Sequence, residues 1–277
     1  MLRYLGLSRS GYYAFRNRLP SDRQKRKEAI KKRIRKIHEE SKRIYGAPKI
    51  QKLLEREGEK ISEKTVGNYM REMGIKAQHV TPYTVTTIDP DFDNNLKNIL
   101  AEEFSPSEPN AVWCSDITYI WTFEGFVYLA TIMDLFSRKI IAWTLSQTLE
   151  AKWVVECVKE AKRKRKVSKA LVMHSDRGSQ YVSDDYLKVC AGFLLSYSKK
   201  AYPWDNACIE SFHALIKREW LNRFKIFNLT HAHRLVFDYI EAFYNTVRIH
   251  SHCGYLSPKE YEEKHEKALK ELEAKAG

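Results

Sequence analysis

The stretch His174-Ser175-Asp176-Arg177-Gly178-Ser179-Gln180-Tyr181 puts an acid where a strand should end and a tight loop begin. Ahead of it, Ala170, Leu171, Val172 and Met173 form a short apolar run behind a basic segment, as a buried parallel strand would. Asp176 therefore falls at a strand's carboxyl end, where open α/β sheets hold their ligands. Gly178, two residues on, is expected to give the backbone the freedom to turn. The same residues also fit a plainer role, with Asp176 capping the turn or a helix that starts near Ser183.

Two further acids favour a ligand. Asp116 lies within Val112-Trp113-Cys114-Ser115-Asp116-Ile117-Thr118-Tyr119-Ile120, a run with strand composition, and an acid inside a strand is costly unless it is paired or coordinated. Glu210 follows Trp204-Asp205-Asn206, and either Asp205 or Asn206 is a suitable cap for a helix that carries Glu210 in its first turns. Three carboxylates with no histidine or cysteine set describe an all-oxygen site for a hard cation, Mg²⁺ or Mn²⁺.

Several ordered motifs then point the same way: Trp113-x-x-Asp116-Ile117-Thr118-Tyr119; Gly125 through Tyr128-Leu129-Ala130; Asp134 through Arg138-Lys139; His174-Ser175-Asp176-x-Gly178-x-Gln180-Tyr181; and Trp204-Asp205-Asn206-x-x-x-Glu210-Ser211-Phe212. Together they resemble the integrase core of bacterial insertion-sequence transposases, the second-reading-frame (OrfB-type) protein with its DDE triad. Tyr45 through Ile50 near the front, and Tyr244-Asn245-x-x-Arg248-x-His250 with Gly254 through Pro258 near the end, extend the resemblance over nearly the whole chain. One interval departs: 33 residues separate Asp176 from Glu210, two fewer than is typical of the family, so the helix between them should be about half a turn short.

The resemblance implies an α/β fold, an RNase H-like mixed sheet flanked by helices. It implies Asp116, Asp176 and Glu210 as catalytic residues that hold two Mg²⁺ ions, with Mn²⁺ as a substitute. The expected activity is metal-dependent cleavage at the ends of an insertion element, then strand transfer by 3′-hydroxyl attack on a phosphodiester. The implied partner is double-stranded DNA, both the terminal repeats and the target. Assembly as a homo-oligomer on DNA, and fusion to an upstream-frame DNA-binding protein, complete the expected partners. Two other functions share much of this pattern: a non-catalytic DNA-binding regulator, and an RNase H-like nuclease that cuts but does not join.

Charge adds an independent constraint. The chain has 277 residues and a net charge of +13. Residues 1 to 80 hold 22 Lys and Arg against 9 acids, a surplus of 13; the remainder balances at 26 against 26. A basic front before a neutral core suits a polyanion met through phosphate contacts. The basic helices lack a matching Trp- or Phe-rich face, which argues against a membrane surface. No run of 18 apolar residues and no signal-peptide pattern is present, so the expectation is a soluble cytoplasmic protein that meets the nucleoid when bound to DNA. Five cysteines without a Cys-x-x-Cys pair suggest reduced thiols.

In chain order, residues 1 to 80 read as a basic, helix-turn-helix-like region. Met1 to Pro20 suggests a short helix, a Ser/Gly turn and an aromatic-led helix. A long helix from Asp22 carries Ile30, Ile34 and Ile37 as one stripe. Ser62 opens a recognition-like helix with Val66, Tyr69 and Met70 inward, leaving Lys64, Thr65, Asn68 and Arg71 for DNA; a hairpin for protein contact fits the same pattern. Residues 81 to 105 read as a linker, 106 to 222 as the catalytic core, and 223 to 277 as a helical segment with Phe237, Ile240, Phe243 and Tyr244 at core spacing and a Glu/Lys tail expected to fray. The basic run Lys162 to Lys166 reads as a solvated helix end or a DNA contact. His250, His252 and Cys253 do not make a zinc set, because no fourth ligand stands near them in sequence. Lys217 lies seven residues beyond Glu210 and hence on the same helix face, where it would reach the DNA end. His213 lies close to that face, either touching DNA or packing. Trp204 is expected to pack.

Overall fold

The computed structural model describes residues 4, 6, 8–78, 96–101, 103–167, 169–199 and 203–276, with the backbone alone at 203, 204 and 276. The Trp204 side chain and most of the stretch read as a linker lie outside the described residues. The chain forms two compact units, residues 1–77 and 78–277.

The first unit is helical: α1 (Arg9–Arg16), α2 (Asp22–Glu40), α3 (Ala47–Arg56) and α4 (Glu63–Glu72). Ser8, Ser21 and Ser62 each cap a helix by accepting a backbone N–H. The Ser/Gly turn expected before the aromatic helix is not formed at Gly11: Ser8 caps α1 through the Gly11 N–H, so the glycine sits in the helix's first turn. Ile30, Ile34 and Ile37 are buried as one stripe of α2 and pack with Ile50, Leu54, Val66 and Met70 of α3 and α4 in a small core. Helix α2 stops at Glu40, and Pro48 occupies the first turn of α3, where its missing N–H costs nothing.

The second unit is built on five strands: β1 (Val112–Thr122), β2 (Gly125–Asp134), β3 (Lys139–Ser146), β4 (Val172–Ser175) and β5 (Leu194–Tyr197). Their order is β3-β2-β1-β4-β5; β1, β2 and β3 form an antiparallel meander, while β4 and β5 run parallel to β1. The tight β1–β2 turn depends on Gly125 at φ +117°, a conformation side-chain-bearing residues avoid. Helix α5 (Ala151–Lys164) buries Val154, Val155, Val158 and Ala161 against Trp113, Ala130, Ile132 and Ala142 on one sheet face. Helices α7 (Ala207–Glu219) and α8 (Leu229–Tyr239) contact β1. A short α6 (Asp184–Val189), capped by Ser183, lies between β4 and β5, and α9 (Pro258–Ala276) closes the chain. A mixed sheet of this order with helices on its faces is the RNase H-like fold.

Three expectations need correction. Phe237 is 49% exposed, although Ile240, Phe243 and Tyr244 are buried. Helix α8 turns Ala232, Leu235, Val236 and Tyr239 inward, and a π-turn at Ile240–Tyr244 inserts an extra residue that rotates the apolar face, so a single helical period cannot describe both halves. The Glu/Lys tail is a continuous helix to Ala276, anchored by Glu262 on Lys139 and Arg165. The latter contact also ties part of the basic run Lys162 to Lys166 to the protein itself. Finally, residues 96–101, inside the expected linker, run beside β5, where Lys97 accepts from the Tyr197 amide and Leu100 is buried.

Candidate active site

Register brings the first two acids together. Ser115 of β1 pairs with Ser175 of β4, so Asp116 and Asp176 are the next residues on neighbouring parallel strands, whose backbones run about 4.8 Å apart. Tyr181 fixes the loop after Asp176 to this point: its buried phenol lies 3.3 Å from Ser115 Oγ and its carbonyl accepts from Tyr197 Oη. Burial holds that phenol well above its ordinary range. Asp176 Oδ1 accepts from the Gly178 N–H at 3.0 Å. Gly178 is needed here for space rather than for freedom: its φ is −58°, and a Cβ would stand 3.1 Å from Asp176 Oδ1 and 2.9 Å from Gln180 Oε1.

Asp116 is only 16% exposed and is held at both oxygens. Oδ1 accepts from the Ile117 N–H at 2.8 Å, and Oδ2 lies 3.2 Å from His213 Nδ1. The other ring nitrogen of His213 lies 2.8 Å from Thr131 Oγ1 on β2. With Nδ1 donating to the carboxylate, Nε2 accepts from the threonine hydroxyl. His213 is thus a buried bridge between α7, β1 and β2, which decides for packing over DNA contact.

Glu210 stands in the first turn of α7, one turn before His213. Its side chain faces solvent, while partial desolvation and then the charge of Asp116 push its carboxyl above the ordinary range. The N-cap position is Asn206, as the sequence allows, but its side chain makes no capping bond. Asp205 instead accepts from Asn98 Nδ2 and the Lys199 N–H, tying the loop before α7 to the 96–101 segment. Lys217 is half-buried on α7 with its ammonium 4.3 Å from the centre of the Tyr119 ring. Burial lowers its pKa, and the nearby Asp116 partly offsets this.

Among the described residues no three acids, histidines or cysteines stand close enough together to hold a metal ion. Two of the three predicted carboxylates are adjacent and restrained; the third is exposed on the opposing helix. The donor chemistry fits a hard divalent cation, with every candidate ligand an oxygen.

The C-terminal motif contributes support that sequence reading did not assign. Arg248 makes a bidentate pair with Glu219, the last residue of α7, which also accepts from Tyr239 Oη. Burial works against the Arg248 charge, and the Glu219 hydrogen bonds outweigh it, holding the guanidinium above its ordinary range. Asn245 clasps Ile140 of β3, accepting from its N–H and donating to its carbonyl. His250 closes a small bridge with Leu256, while His252 meets the Phe136 carbonyl and Cys253 donates to the Ser137 carbonyl.

In the first unit, Lys64, Asn68 and Arg71 are exposed on α4, with Asn68 accepting from Arg71. Thr65 is half-buried and bonded to Ser62. Tyr69 is only partly buried, under the Lys27 ammonium.

The fold and the paired aspartates define an integrase core: family profiles described as integrase core domain match residues 106–203 and 191–258, and one described as HTH-like domain matches residues 25–83. The chain belongs to the insertion-sequence transposases of the OrfB type, within the DDE superfamily. It is 36% identical to the transposase for insertion sequence element IS904 of Lactococcus lactis, over 89% of this chain and 98% of that protein. It is 35% identical to transposase InsF for insertion sequence IS3A of Escherichia coli K12, over 95% and 93%. A 31 kDa protein of insertion element IS600 from Shigella sonnei is 33% identical, over 96% and 98%. Among solved structures, a chain of the simian T-cell lymphotropic virus intasome in complex with PP2A regulatory subunit B56 gamma superposes with TM-score 0.47 at 13% identity, covering 83% of this chain and 74% of that one.

Proposed function

We propose that this protein is a DNA transposase that cleaves at the ends of an insertion element and joins the freed 3′-hydroxyl to a second phosphodiester. The observation that carries the reading is that Asp116, midway along β1, stands beside Asp176, the residue just past the end of parallel strand β4, with Glu210 on the helix that His213 docks against Asp116. Asp116, Asp176 and Glu210 would hold magnesium or manganese. When bound, such ions activate a nucleophile and stabilise a leaving oxygen.

The chain's own residues prepare that site. His213 and the Ile117 amide fix Asp116 before any ligand arrives, and Tyr181 fixes the loop of Asp176. Glu210, exposed and electrostatically opposed by Asp116, would be the third ligand; a nearby cation would relieve that opposition. Lys217 offers an ammonium for a phosphate of the terminal DNA beside the carboxylates. One phosphodiester is exchanged for another in the joining step, so no nucleotide energy source is required. The helical first unit would meet double-stranded DNA through Lys64, Thr65, Asn68 and Arg71 of α4. No helix among the described residues is long and apolar enough to cross a membrane.

Asp116→Asn, Asp176→Asn and Glu210→Gln keep side-chain size and remove the charge. Each should abolish nicking and joining on element-end DNA while leaving DNA binding nearly intact. Strand transfer at the wild-type rate by any one variant would remove that residue from the triad. Cleaved product without joined product from the wild type would identify a nuclease instead.

A further inference from the structure

We propose that the β1–β2 hairpin carries a stacking shelf for unpaired DNA bases beside the carboxylate site. This rests on the reading of that site as DNA-processing and adds to it the form of DNA that the site accepts.

Tyr119 and Trp121 alternate on one face of β1, and Phe126 stands opposite Trp121 on β2. Their exposures are 49%, 61% and 48%. The Phe126 ring meets both neighbours edge-on, at 5.3 Å from Tyr119 and 5.0 Å from Trp121, so the three form one fixed surface rather than scattered side chains. At the hairpin tip Phe123 continues it onto Phe227, at 5.7 Å, where the Phe123 N–H donates to the Ile226 carbonyl. Single exposed aromatics are ordinary; a contiguous, rigid group of them marks an interaction surface.

Composition selects the occupant. Every exposed large hydrophobic residue of this hairpin and of the segment 217–227 is aromatic, with no aliphatic among them. The charges among them are Lys217, Arg218, Arg223 and Lys225 against the exposed Glu124, since Glu219 is buried in its pair with Arg248. Protein interfaces are depleted in lysine, whereas aromatic faces set among cations are the usual surface for single-stranded nucleic acid, because every base has a face to stack. Position fits too. Tyr119 lies three residues, about 10 Å, along β1 from Asp116, with its side chain leaving the other face of the strand, and Lys217, on the helix that bears Glu210, links the two by setting its ammonium over the Tyr119 ring. Bases peeled from a duplex end would leave their phosphates within reach of Lys217.

The test uses the full chain and two fluorescent duplexes of one sequence, one fully paired and one ending in three unpaired nucleotides that include 2-aminopurine. The wild type should prefer the unpaired end and quench 2-aminopurine. Trp121→Ala/Phe126→Ala, a surface change, should weaken the unpaired-end complex by about 10-fold or more, abolish the quenching and leave the paired duplex within about 2-fold. Equal weakening on both duplexes, or none on either, overturns the shelf. So does a lower sedimentation coefficient for the variant without DNA, which would make the surface a contact between copies of this chain. A wild type that binds neither duplex defeats the DNA-processing reading itself; one that binds both alike defeats only the shelf.

Discussion

The two units use charge in opposite ways. In the first, the cations of α2 pair with acids across solvent-facing surfaces: Arg26 with Glu59, Lys27 and Lys31 with Glu72, Arg33 with Glu57. In the second, the decisive charges are buried: Arg248 with Glu219, Glu262 with Arg165 and Lys139, Asp116 with His213. Exposed pairs are screened by salt and contribute little, while a buried charge stripped of its partner is left desolvated and uncompensated. The first unit can therefore spend its charge on a polyanion, and the second uses charge to fix distances.

The strongest break of this contrast is Arg248→Ala. It strands Glu219 at the end of the helix that carries Glu210, and should lower unfolding free energy by about 3–5 kcal/mol, read from urea denaturation. A loss no larger than that of a surface pair would refute the contrast. His213→Ala should follow, with a smaller stability change but a loss of manganese affinity, measured by titration calorimetry, that His213→Asn restores in part through its amide donor. Unchanged manganese affinity in the alanine variant would leave His213 a packing residue only.

Acidity sharpens the comparison inside the core. Burial pushes Asp134 up to about 6, from an ordinary 3.8. The fold therefore keeps a proton that the unfolded chain releases, and stability falls as pH rises through that window. Burial pushes His174 down to about 4, from an ordinary 6.5; the unfolded chain takes up its proton first, and stability falls as pH drops through that window. The two oppose one another between about pH 4 and 6. Asp134→Asn should unmask the histidine and give a steeper loss of stability on acidification than the wild type shows, measured by urea melts across the range.

The smallest effects belong to the first unit. Lys64→Gln and Arg71→Gln should each weaken DNA binding nearly uniformly over sequence and reduce the salt slope by about 1. Glu72→Gln should cost little stability at low salt and nothing measurable at high salt.

What the sequence made legible follows its periodicities. Asp116 stood out because a strand composition surrounded an acid, and Asp176 because an apolar run ended on one; pairing Ser115 with Ser175 then made them neighbours. The stripe of α2 and the helix starts at Ser62 and Ser183 were local patterns and read correctly. Phe237 was misread because the π-turn that shifts the register leaves no mark in an apolar count. Gly178 was legible as necessary but not why, since the crowding by Asp176 and Gln180 exists only in three dimensions. The partners of His213, Arg248 and Asn245 lie 82, 29 and 105 residues away in the chain, so no local pattern could pair them.

The clasp of Asn245 on Ile140 has a consequence for how the molecule behaves among its own kind. Strand β3 is an outer strand of the sheet, and an outer strand offers unpaired amides to any passing extended chain. Asn245 satisfies the outward N–H and carbonyl of Ile140 with a single side-chain amide, as a neighbouring strand would. The C-terminal segment thereby covers the sheet's open margin at Ile140, and a chain without it would present an adhesive edge there.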